Sequence, residues 1–296
     1  MNKPLSYSDM THIIIGCGDV GQRLALHLQQ QSKSVLGVVQ SDSSLQKLQA
    51  MQIPAEQLDL DTFSELSLDI TGKPVFYFAP PVSSGAEDSR MVNFLSVLKS
   101  HQQIPAKIVY ISTTGVYGDC QGRWINEDEA LKPLADRAKR RLHAELQLKA
   151  FAGESNCQLV ILRVAGIYGP GKLPLARLSQ QQPVIRPEES PFTNRIHIDD
   201  LVNICAIAMQ HAKDGSLYNV SDGQPGTMAD YFTRIALRAN LPVPPQISLE
   251  DGKHKLSAGM MSYMRESRRL DNSRLLQDLS IELAYPDLDS GLDSCF

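Results

Sequence analysis

The first half of the chain alternates short runs of consecutive apolar residues with longer segments whose apolar residues recur every three or four positions. The first run, Ile13–Ile15, is β-branched and is followed by helical spacing at Val20, Leu24 and Leu28. Consecutive apolar runs are typical of strands that are buried on both faces, and the longer period is typical of amphipathic helices. Strands that alternate with helices in this way predict a parallel sheet covered by helices on both faces.

The same alternation continues beyond the first strand and helix. The further predicted strands are residues 34–40, a short strand before residue 58, and residues 73–79, 107–112, 158–163 and 217–220. The further predicted helices are about residues 88–102, 134–150, 200–211 and 228–238. The apolar stripe predicted for the helix over 134–150 is Leu134, Ala138, Leu142 and Leu146.

The turn between the first strand and the first helix has the pattern Gly-x-Gly-x-x-Gly. At this place Gly16 allows the tight turn, Gly18 admits a pyrophosphate close to the backbone, and Gly21 lets the helix pack against the strand. The unpaired first-turn N–H groups, with Asp19 and Val20 among their residues, and the helix dipole would hold a diphosphate. The sequence therefore predicts a dinucleotide site, and the alternative is a glycine-rich turn without a ligand.

The predicted elements and the glycine turn together indicate a Rossmann-type, doubly wound α/β fold. Residues 10–171 are the predicted dinucleotide-binding domain, and residues 194–221 are predicted to return to its sheet. From about residue 172 the regular alternation weakens, and several prolines mark irregular loops. Residues 172–193 and 222–296 are therefore predicted to form a smaller C-terminal, substrate-side region.

The end of the second strand bears on the choice of cofactor. It reads Gln40, Ser41 and Asp42, so no acid stands at the strand tip to repel the 2′-phosphate of NADP. Gln40 and Ser41 can each donate a hydrogen bond to that phosphate. The nearby Asp42 and the lack of an arginine argue for NAD instead. The sequence leaves NADP and NAD open, with a slight lean towards NADP.

Two further loops follow the carboxyl ends of strands, which is where ligands bind in this fold. Asp59 follows the third strand and is a candidate for the adenine side of the site, the alternative being a helix that begins at Asp61 with Asp59 in a loop. The fourth strand must turn at its prolines, which places its end beside the cofactor. The candidate cofactor contacts in the two loops are Asp59, Leu60, Ala79, Pro80 and Pro81.

Further motifs follow the glycine turn in order. They are Tyr110–Gly118, Glu127 ahead of Pro133, Leu162–Arg163 with Gly166–Pro170, Arg195–Asp200, Tyr218–Val220 and the basic run Ser267–Asn272, the last being equally compatible with a solvated loop. Together they resemble the extended and atypical short-chain dehydrogenase/reductases, the superfamily of nucleotide-sugar epimerases and dehydratases. Within it the chain looks most like the atypical, NAD(P)-binding, nucleoside-diphosphate-sugar epimerase-like branch of the YeeZ type.

The resemblance implies a nucleotide-linked or phosphorylated small molecule as the substrate. In the superfamily a Ser or Thr at the end of the fifth strand acts with a Tyr-x-x-x-Lys on the next helix. The Val-Tyr-Gly landmark puts the Ser/Thr position on Thr113. An alignment through Pro133 and Glu145 puts the Tyr position on Arg137 and the Lys position on Arg141, so the usual pair is replaced by two arginines.

This departure leaves two functions open. Arg141 can still bind a ribose hydroxyl or a phosphate, but Arg137 cannot accept a proton, because an arginine side chain stays charged. The pair either binds an anionic substrate or pairs with acids. Tyr117 and Tyr168 are candidate replacements, the alternative being packed rings with hydroxyls bonded to backbone. The protein is either an oxidoreductase or epimerase-like enzyme, or an inactive NAD(P)-binding sensor or regulatory protein.

Composition and charge bear on the partners and the compartment of the protein. A net charge of −4 gives no reason to expect nucleic-acid binding, and the five scattered cysteines lack metal-ligand spacing and fit a reducing compartment. No apolar run approaches the roughly 20 residues of a membrane span, and residues 1–10 lack a signal-peptide core. We therefore expect a cytoplasmic protein with a small-molecule substrate, no metal and no membrane contact, and a homodimer is compatible with the sequence.

Overall fold

The computed structural model describes residues 11–64 and 68–296. The segment 1–10, which holds the predicted domain start at residue 10 and for which no signal peptide is predicted, lies outside the described residues. The strands are β1 (His12–Ile15), β2 (Val35–Val39), β3 (Ala55–Gln57), β4 (Pro74–Tyr77), β5 (Lys107–Thr113), β6 (Trp124–Ile125), β7 (Gln158–Val164), β8 (Gly166–Tyr168), β9 (Val184–Ile185), β10 (Phe192–Thr193), β11 (Arg195–His197), β12 (Leu217–Val220), β13 (Gly226–Thr227), β14 (Gln246–Ile247) and β15 (Arg269–Leu270).

The helices alternate with these strands. They are α1 (Asp19–Gln30), α2 (Asp42–Ala50), α3 (Ser89–Ser100), α4 (Asp136–Glu154), α5 (Leu175–Ser179), α6 (Ile198–His211), α7 (Met228–Arg238), α8 (Leu249–Lys255), α9 (Ala258–Tyr263), α10 (Ser273–Leu279) and α11 (Leu288–Asp293), with 3₁₀ turns at Thr114–Tyr117 and Pro187–Glu189. No helix in the described part of the chain is long and apolar enough to cross a membrane.

Seven strands form the central sheet, in the order β12-β7-β5-β4-β1-β2-β3. Strand β1 pairs in parallel with β2 on one side and with β4 on the other, so the direction of the strand order reverses between β1 and β4. A reversal of this kind opens a crevice beyond the carboxyl ends of the two strands. The predicted doubly wound α/β fold is confirmed.

Strand β1 lies at the centre of this sheet. Ile13, Ile14 and Ile15 are fully buried, and so are Val75 and Phe76 on the neighbouring β4. Both faces of the strands are therefore covered, which is the environment that a run of consecutive apolar residues predicts.

The long helix α4 buries a different face from the predicted one. Leu146 is 54% exposed, and Leu134 lies before the first residue of the helix. The buried apolar side chains of the helix are Ala138, Ala144, Leu148 and Phe151. Each step of four residues advances about 40° beyond a full turn, so a stripe built only from such steps drifts off the buried face.

The chain divides into two compact units. The first comprises the residues up to Thr113 together with Asp136–Arg163 and Val202–Leu217, and the second comprises Thr114–Ala135, Val164–Leu201 and Tyr218–Phe296. Residues 114–135 and 164–171, which the sequence assigned to the dinucleotide-binding domain, thus fall in the second unit. The functional division into a cofactor-binding and a substrate-side domain stays a prediction.

Candidate functional site

The three glycines of the first turn have different environments. Gly16 has a φ of +82°, and a Cβ built on it would lie 2.3 Å from the backbone nitrogen of Ala79. A Cβ on Gly21 would approach Ile14 Cγ2 to 3.0 Å. Gly18 has a φ of −78°, and a Cβ there would meet no atom closer than 4.0 Å. Two of the glycines are therefore required by the fold, and Gly18 faces open space.

Helix α1 begins directly after this open space. Its N-cap is Gly18, which has no side chain to accept from the first-turn N–H groups. The first N–H groups of a helix lack intrahelical acceptors, and the helix dipole places partial positive charge there. Asp19, the first residue of the helix, pairs with Arg23 at 3.4 Å. Backbone donors, partial charge and free room next to Gly18 fit a diphosphate group.

The loops after β2 and β3 are joined through Gln40. Its Nε2 donates to Asp59 Oδ1 at 2.9 Å and lies 3.5 Å from Asp61 Oδ2. Residues 60–62 form a turn in which the Asp61 N–H donates to Asp59 Oδ1 at 3.0 Å. The alternative in which Asp61 begins a helix is therefore wrong. Leu60 is buried in this turn, and its carbonyl accepts from Asn93 Nδ2 at 3.0 Å.

Arg90, in the first turn of α3, ties the loop after β4 to the same cluster. Its Nε and Nη2 donate to the two carboxylate oxygens of Asp61 at 2.7 Å each, and its Nη1 donates to the Pro80 carbonyl at 3.1 Å. Hydrogen bonding from Arg90 holds the pKa of Asp61 below its usual value. Arg90 was not predicted as a site residue, because nothing in its local pattern shows which strand end a helical arginine reaches.

Ser41 is used as a helix cap. It is the N-cap of α2, and its Oγ accepts the Ser44 N–H at 3.3 Å. The same hydroxyl donates to Ser44 Oγ at 2.9 Å. The Ser41 hydroxyl is thus engaged both as a donor and as an acceptor inside the protein, and it does not match the free donor that the sequence suggested.

Arg141 reaches from α4 to the carboxyl ends of β4 and β5. Its Nη1 donates to the carbonyl of Ile111 at 3.1 Å and lies 3.4 Å from the carbonyl of Ala79 and 3.3 Å from the Tyr110 hydroxyl. Among the described residues, its Nε and Nη2 have no hydrogen-bond partner. One nitrogen therefore fixes the guanidinium in place, and the other two are left for a ligand. Thr113 is the half-buried last residue of β5, two positions after Ile111.

Tyrosines near Arg141 are inside the core. Tyr110 is fully buried, and burial raises its pKa to about 12 against the opposing effect of Arg141. Tyr77, opposite it on β4, is also fully buried, and burial raises its pKa further. Arg137 is half-buried in the first turn of α4, one turn before Arg141. The assignment of the superfamily's tyrosine position to Arg137 stays a prediction, and the two tyrosines near Arg141 are buried in the core.

In the second unit, both candidate tyrosines use their hydroxyls in structural hydrogen bonds. Tyr117 is 1% exposed and donates to Asn219 Oδ1 at 2.6 Å. The same Asn219 donates its backbone N–H to Glu127 Oε1 at 2.8 Å. Tyr168 is also 1% exposed and donates to the Asp287 carbonyl at 3.3 Å. Tyr168 therefore matches the alternative of a packed ring bonded to backbone, and Tyr117 is packed but bonded to a side chain.

The basic run near the C-terminus forms a short strand in this unit. Arg269 begins β15, which pairs in parallel with β6. Its Cζ lies 5.5 Å from the ring centroid of Trp124 and 4.8 Å from that of Phe192, and both rings are more than a third exposed. Its Nε donates to the Gly122 carbonyl at 2.7 Å, and its Nη1 and Nη2 have no hydrogen-bond partner among the described residues. An accessible guanidinium between two aromatic rings can bind an anion or a flat, negatively charged group.

Comparisons with known proteins cover nearly the whole chain. The model of the NAD dependent epimerase/dehydratase family matches residues 13–221, from β1 to just after β12. Protein YeeZ of Escherichia coli K12 is 25% identical over 284 residues, which cover 93% of this chain and 96% of YeeZ.

Two solved structures are similar over almost their full length. A functionally unknown conserved protein from Silicibacter pomeroyi DSS superposes with a TM-score of 0.80 and 27% identity, covering 96% of this chain and 97% of that one. The UDP-glucuronic acid 4-epimerase from Bacillus cereus, in complex with NAD, superposes with a TM-score of 0.75 and 17% identity over 97% of each chain. At that identity the second similarity shows the fold alone.

Proposed function

This chain belongs to the NAD dependent epimerase/dehydratase family, and on that premise we propose that it binds NAD or NADP at the glycine turn. We propose further that it is an oxidoreductase or epimerase-like enzyme acting on a nucleotide-linked or phosphorylated small molecule. The observation that carries the proposal is the open space at Gly18, where a Cβ would meet no atom closer than 4.0 Å, at the start of the uncapped helix α1. A bound nicotinamide dinucleotide supplies hydride transfer.

Residues of the first unit account for the binding of the cofactor. The N–H groups at the start of α1, from Asp19 to Gly21, would hold the diphosphate. Pro80 and Pro81 turn the chain at the end of β4, beside the glycine turn. Arg141 would donate from Nε and Nη2 to the ribose next to the nicotinamide, the task that the resemblance gives to a lysine. Three contacts of Nη1 with protein oxygens keep that guanidinium oriented.

Residues of the same unit support a role in binding and orienting the substrate. We propose that the Thr113 hydroxyl hydrogen-bonds the reacting oxygen of the substrate and that Arg137 attracts its anionic part. Neither side chain is a proton acceptor at neutral pH, because an alkyl hydroxyl and a guanidinium both hold their protons. A positioned proton-transfer group contributes about 10²- to 10⁴-fold to the rate, so we expect slow turnover.

The second unit supports an anionic, nucleotide-linked substrate. Arg269 offers two unengaged nitrogens between the exposed rings of Trp124 and Phe192. A nucleoside diphosphate presents the two features that such a cluster binds, a flat aromatic base and negative charge.

A second candidate function is binding without catalysis. It is favoured by the absence of tyrosine between Asp119 and Gln158 and by the hydrogen bond that engages the Tyr117 hydroxyl. In this case the protein would report cofactor supply or redox state to a partner. The two candidates share the cofactor site and differ only in turnover.

The compartment and the oligomeric state of the protein are also part of the proposal. All five cysteines are free thiols, which supports a reducing, cytoplasmic compartment. A homodimer is checked by light scattering of the purified full chain at several concentrations.

Calorimetric titration with NAD, NADH, NADP and NADPH tests the binding site. We expect measurable binding of at least one dinucleotide, and at least tenfold weaker binding after Gly18→Val. The control is Gly153→Val on α4, where an added Cβ meets no atom within 4 Å and lies outside the glycine turn. A lack of binding to all four dinucleotides would refute the proposal.

Turnover separates the two candidates. Purified protein with its preferred dinucleotide is incubated with a panel of sugar nucleotides and sugar phosphates, and absorbance at the nicotinamide band and product chromatography are followed. Slow turnover that Thr113→Ala removes supports the enzyme. Cofactor binding without turnover on the panel supports the binding protein.

A further inference from the structure

We propose that Arg140 and the loop of residues 82–87, the Ser83 loop, bind a phosphate monoester group of the substrate. The proposal rests on the proposed function and narrows its substrate class to a molecule with a terminal phosphate. Both parts of the site belong to the first unit. The Ser83 loop lies between β4 and the N-cap residue of α3, and Arg140 lies on α4.

Arg140 is a buried charge without an acidic partner. It is 7% exposed, and among the described residues no carboxylate pairs with it. Its Nη1 donates to the Gly85 carbonyl at 2.5 Å, while its Nε is buried without a hydrogen-bond partner and its Nη2 has none either. The buried Arg163 of the same unit, in contrast, pairs with Glu145 at 2.8 Å. Buried charges in proteins are normally paired, so an anionic ligand is expected at Arg140.

The unengaged nitrogens of Arg140 have the geometry that an oxyanion requires. Nε and Nη2 form one edge of a guanidinium group, and such an edge donates two parallel hydrogen bonds to two oxygens of a phosphate or a carboxylate. The bond from Nη1 to Gly85 orients the group and holds it against the Ser83 loop. Arg140 therefore presents an oriented pair of donors next to this loop.

The Ser83 loop adds further donors around Gly85. Ser83 and Ser84 are exposed, and their hydroxyls have no hydrogen-bond partner in the described part of the chain. Within the same part, the backbone N–H groups of residues 82–87 have no acceptor. Gly85 has a φ of +79°, and successive N–H groups around such a turn can bind an anion. These donors favour the three terminal oxygens and the double charge of a phosphate monoester over a carboxylate.

Two acids stand at the end of this loop, and neither pairs with Arg140. Glu87 is exposed and forms no ion pair with any described residue. Asp88 is fully buried, and its Oδ1 accepts the Met91 N–H at 3.2 Å as the N-cap of α3. Burial raises the pKa of Asp88, which favours its neutral form. The buried acid therefore opposes an anion less than an ordinary carboxylate would.

The position of Arg140 on α4 links the site to the substrate. Arg137 lies three residues earlier, and residues at this spacing are neighbours on a helix surface. The proposed function gives Arg137 the anionic part of the substrate. The phosphate at Arg140 is therefore assigned to the substrate and not to the dinucleotide.

Phosphate binding to matched variants tests the site. Binding of inorganic phosphate and of glucose 6-phosphate to the full chain is followed by phosphorus NMR, with and without a saturating concentration of the preferred dinucleotide. Glucuronate is added as a competitor that carries a carboxylate. The variants are Arg140→Gln and the double variant Ser83→Ala with Ser84→Ala, in which both positions are exposed. The control is Lys139→Gln, which removes a charge one residue away that pairs with Asp136 at 2.9 Å. Thermal melting confirms that each variant is folded.

We expect glucose 6-phosphate to bind more tightly than inorganic phosphate, with little competition from glucuronate. Arg140→Gln is expected to weaken both phosphates by about tenfold or more, the effect of losing a hydrogen bond to a charged group. The double serine variant is expected to weaken them about fivefold, and Lys139→Gln less than about twofold. Saturation with the dinucleotide is expected to leave both affinities unchanged.

The possible failures are distinguishable. Phosphate affinities that neither Arg140→Gln nor the double serine variant changes overturn the site and leave the proposed function standing. Displacement of phosphate by the dinucleotide means that the phosphate occupies the glycine turn, which also overturns the site. Equal competition by glucuronate overturns the selection of phosphate, and tighter binding of inorganic phosphate than of glucose 6-phosphate overturns the assignment to the substrate. If phosphate binding depends on Arg140 but no dinucleotide binds, the proposed function falls, and the assignment to its substrate falls with it.

Discussion

Arg163 donates from Nη2 to Glu145 Oε2 at 2.8 Å, and the two side chains are 2% and 0% exposed. A second bond joins Arg163 Nε to Glu145 Oε1 at 3.2 Å, and Ser112 donates its hydroxyl to that same oxygen at 2.5 Å. Glu145 lies one turn after Arg141 on α4, while Ser112 and Arg163 lie on β5 and β7. The cluster therefore fixes the helix against β5 and β7 and supports the position of Arg141 at the carboxyl ends of β4 and β5.

Removal of one partner of the Arg163–Glu145 pair is expected to destabilise the folded protein. Arg163→Met leaves a buried carboxylate without its counter-charge, so we expect a loss of about 3–5 kcal/mol in the free energy of unfolding, measured by urea denaturation. The double variant Glu145→Leu with Arg163→Met should recover most of that loss, since no unpaired charge remains. A loss below about 1 kcal/mol in the single variant would contradict a structural role for the pair.

Gly16→Ala is expected to destabilise the apo protein, and Gly18→Ala is not. A side chain on Gly16 would require a left-handed conformation and would collide with Ala79, where its Cβ comes within 2.3 Å of the backbone nitrogen. These two effects together amount to roughly 2–5 kcal/mol. Thermal or urea unfolding of both variants in the absence of cofactor checks the difference. Equal stability of the two variants would show that the turn has another conformation.

Arg141→Met is expected to weaken dinucleotide binding by about ten- to a hundredfold, the usual range for a hydrogen bond to a charged group. Arg137→Met serves as the control. The same substitution, one helical turn earlier, removes a positive charge that we propose binds the substrate and not the dinucleotide. Calorimetry on both folded variants measures the effect. Parallel losses of affinity would mean that the two arginines act only through general charge.

Lys107 is expected to make the stability of the protein depend on pH. Its buried ammonium donates to the carbonyls of Met209 at 3.0 Å and Ala212 at 2.6 Å, at the end of α6. Burial lowers the pKa of Lys107 from 10.5 to about 8. Between these two values the unfolded chain binds more protons than the folded one, so stability rises with pH across that window, by up to about 3 kcal/mol.

Urea denaturation at pH 8 and pH 10 measures this effect. The unmodified chain should gain stability between the two values relative to Lys107→Met, which has no proton to lose at that position. The comparison removes the contribution of other groups that titrate in the same range. A constant difference between the two proteins would show that Lys107 keeps its ordinary pKa in the folded state.

Much of the fold was determined by patterns that are local in the chain. Residues 217–220 and 228–238 were predicted as a strand and a helix, and the structure has β12 and α7 at those bounds. The short apolar runs located the strands of the parallel sheet, because burial on both faces excludes polar residues from them. The glycine turn was also predicted from a local pattern, because the positive φ at Gly16 is a property of the backbone at one residue.

What only the tertiary structure decided is which side chains meet. The order of the chain brings Gln40 and Ser41 to the end of β2, but two acids after β3 and a helix cap decide that their donors are engaged. Likewise, the buried face of α4 contains Glu145, which forms an ion pair with Arg163. The spacing of apolar residues along the helix does not indicate this ion pair. Hydrogen bonds and ion pairs between residues far apart in sequence depend on distances that the folded sheet creates, and a local pattern carries no record of them.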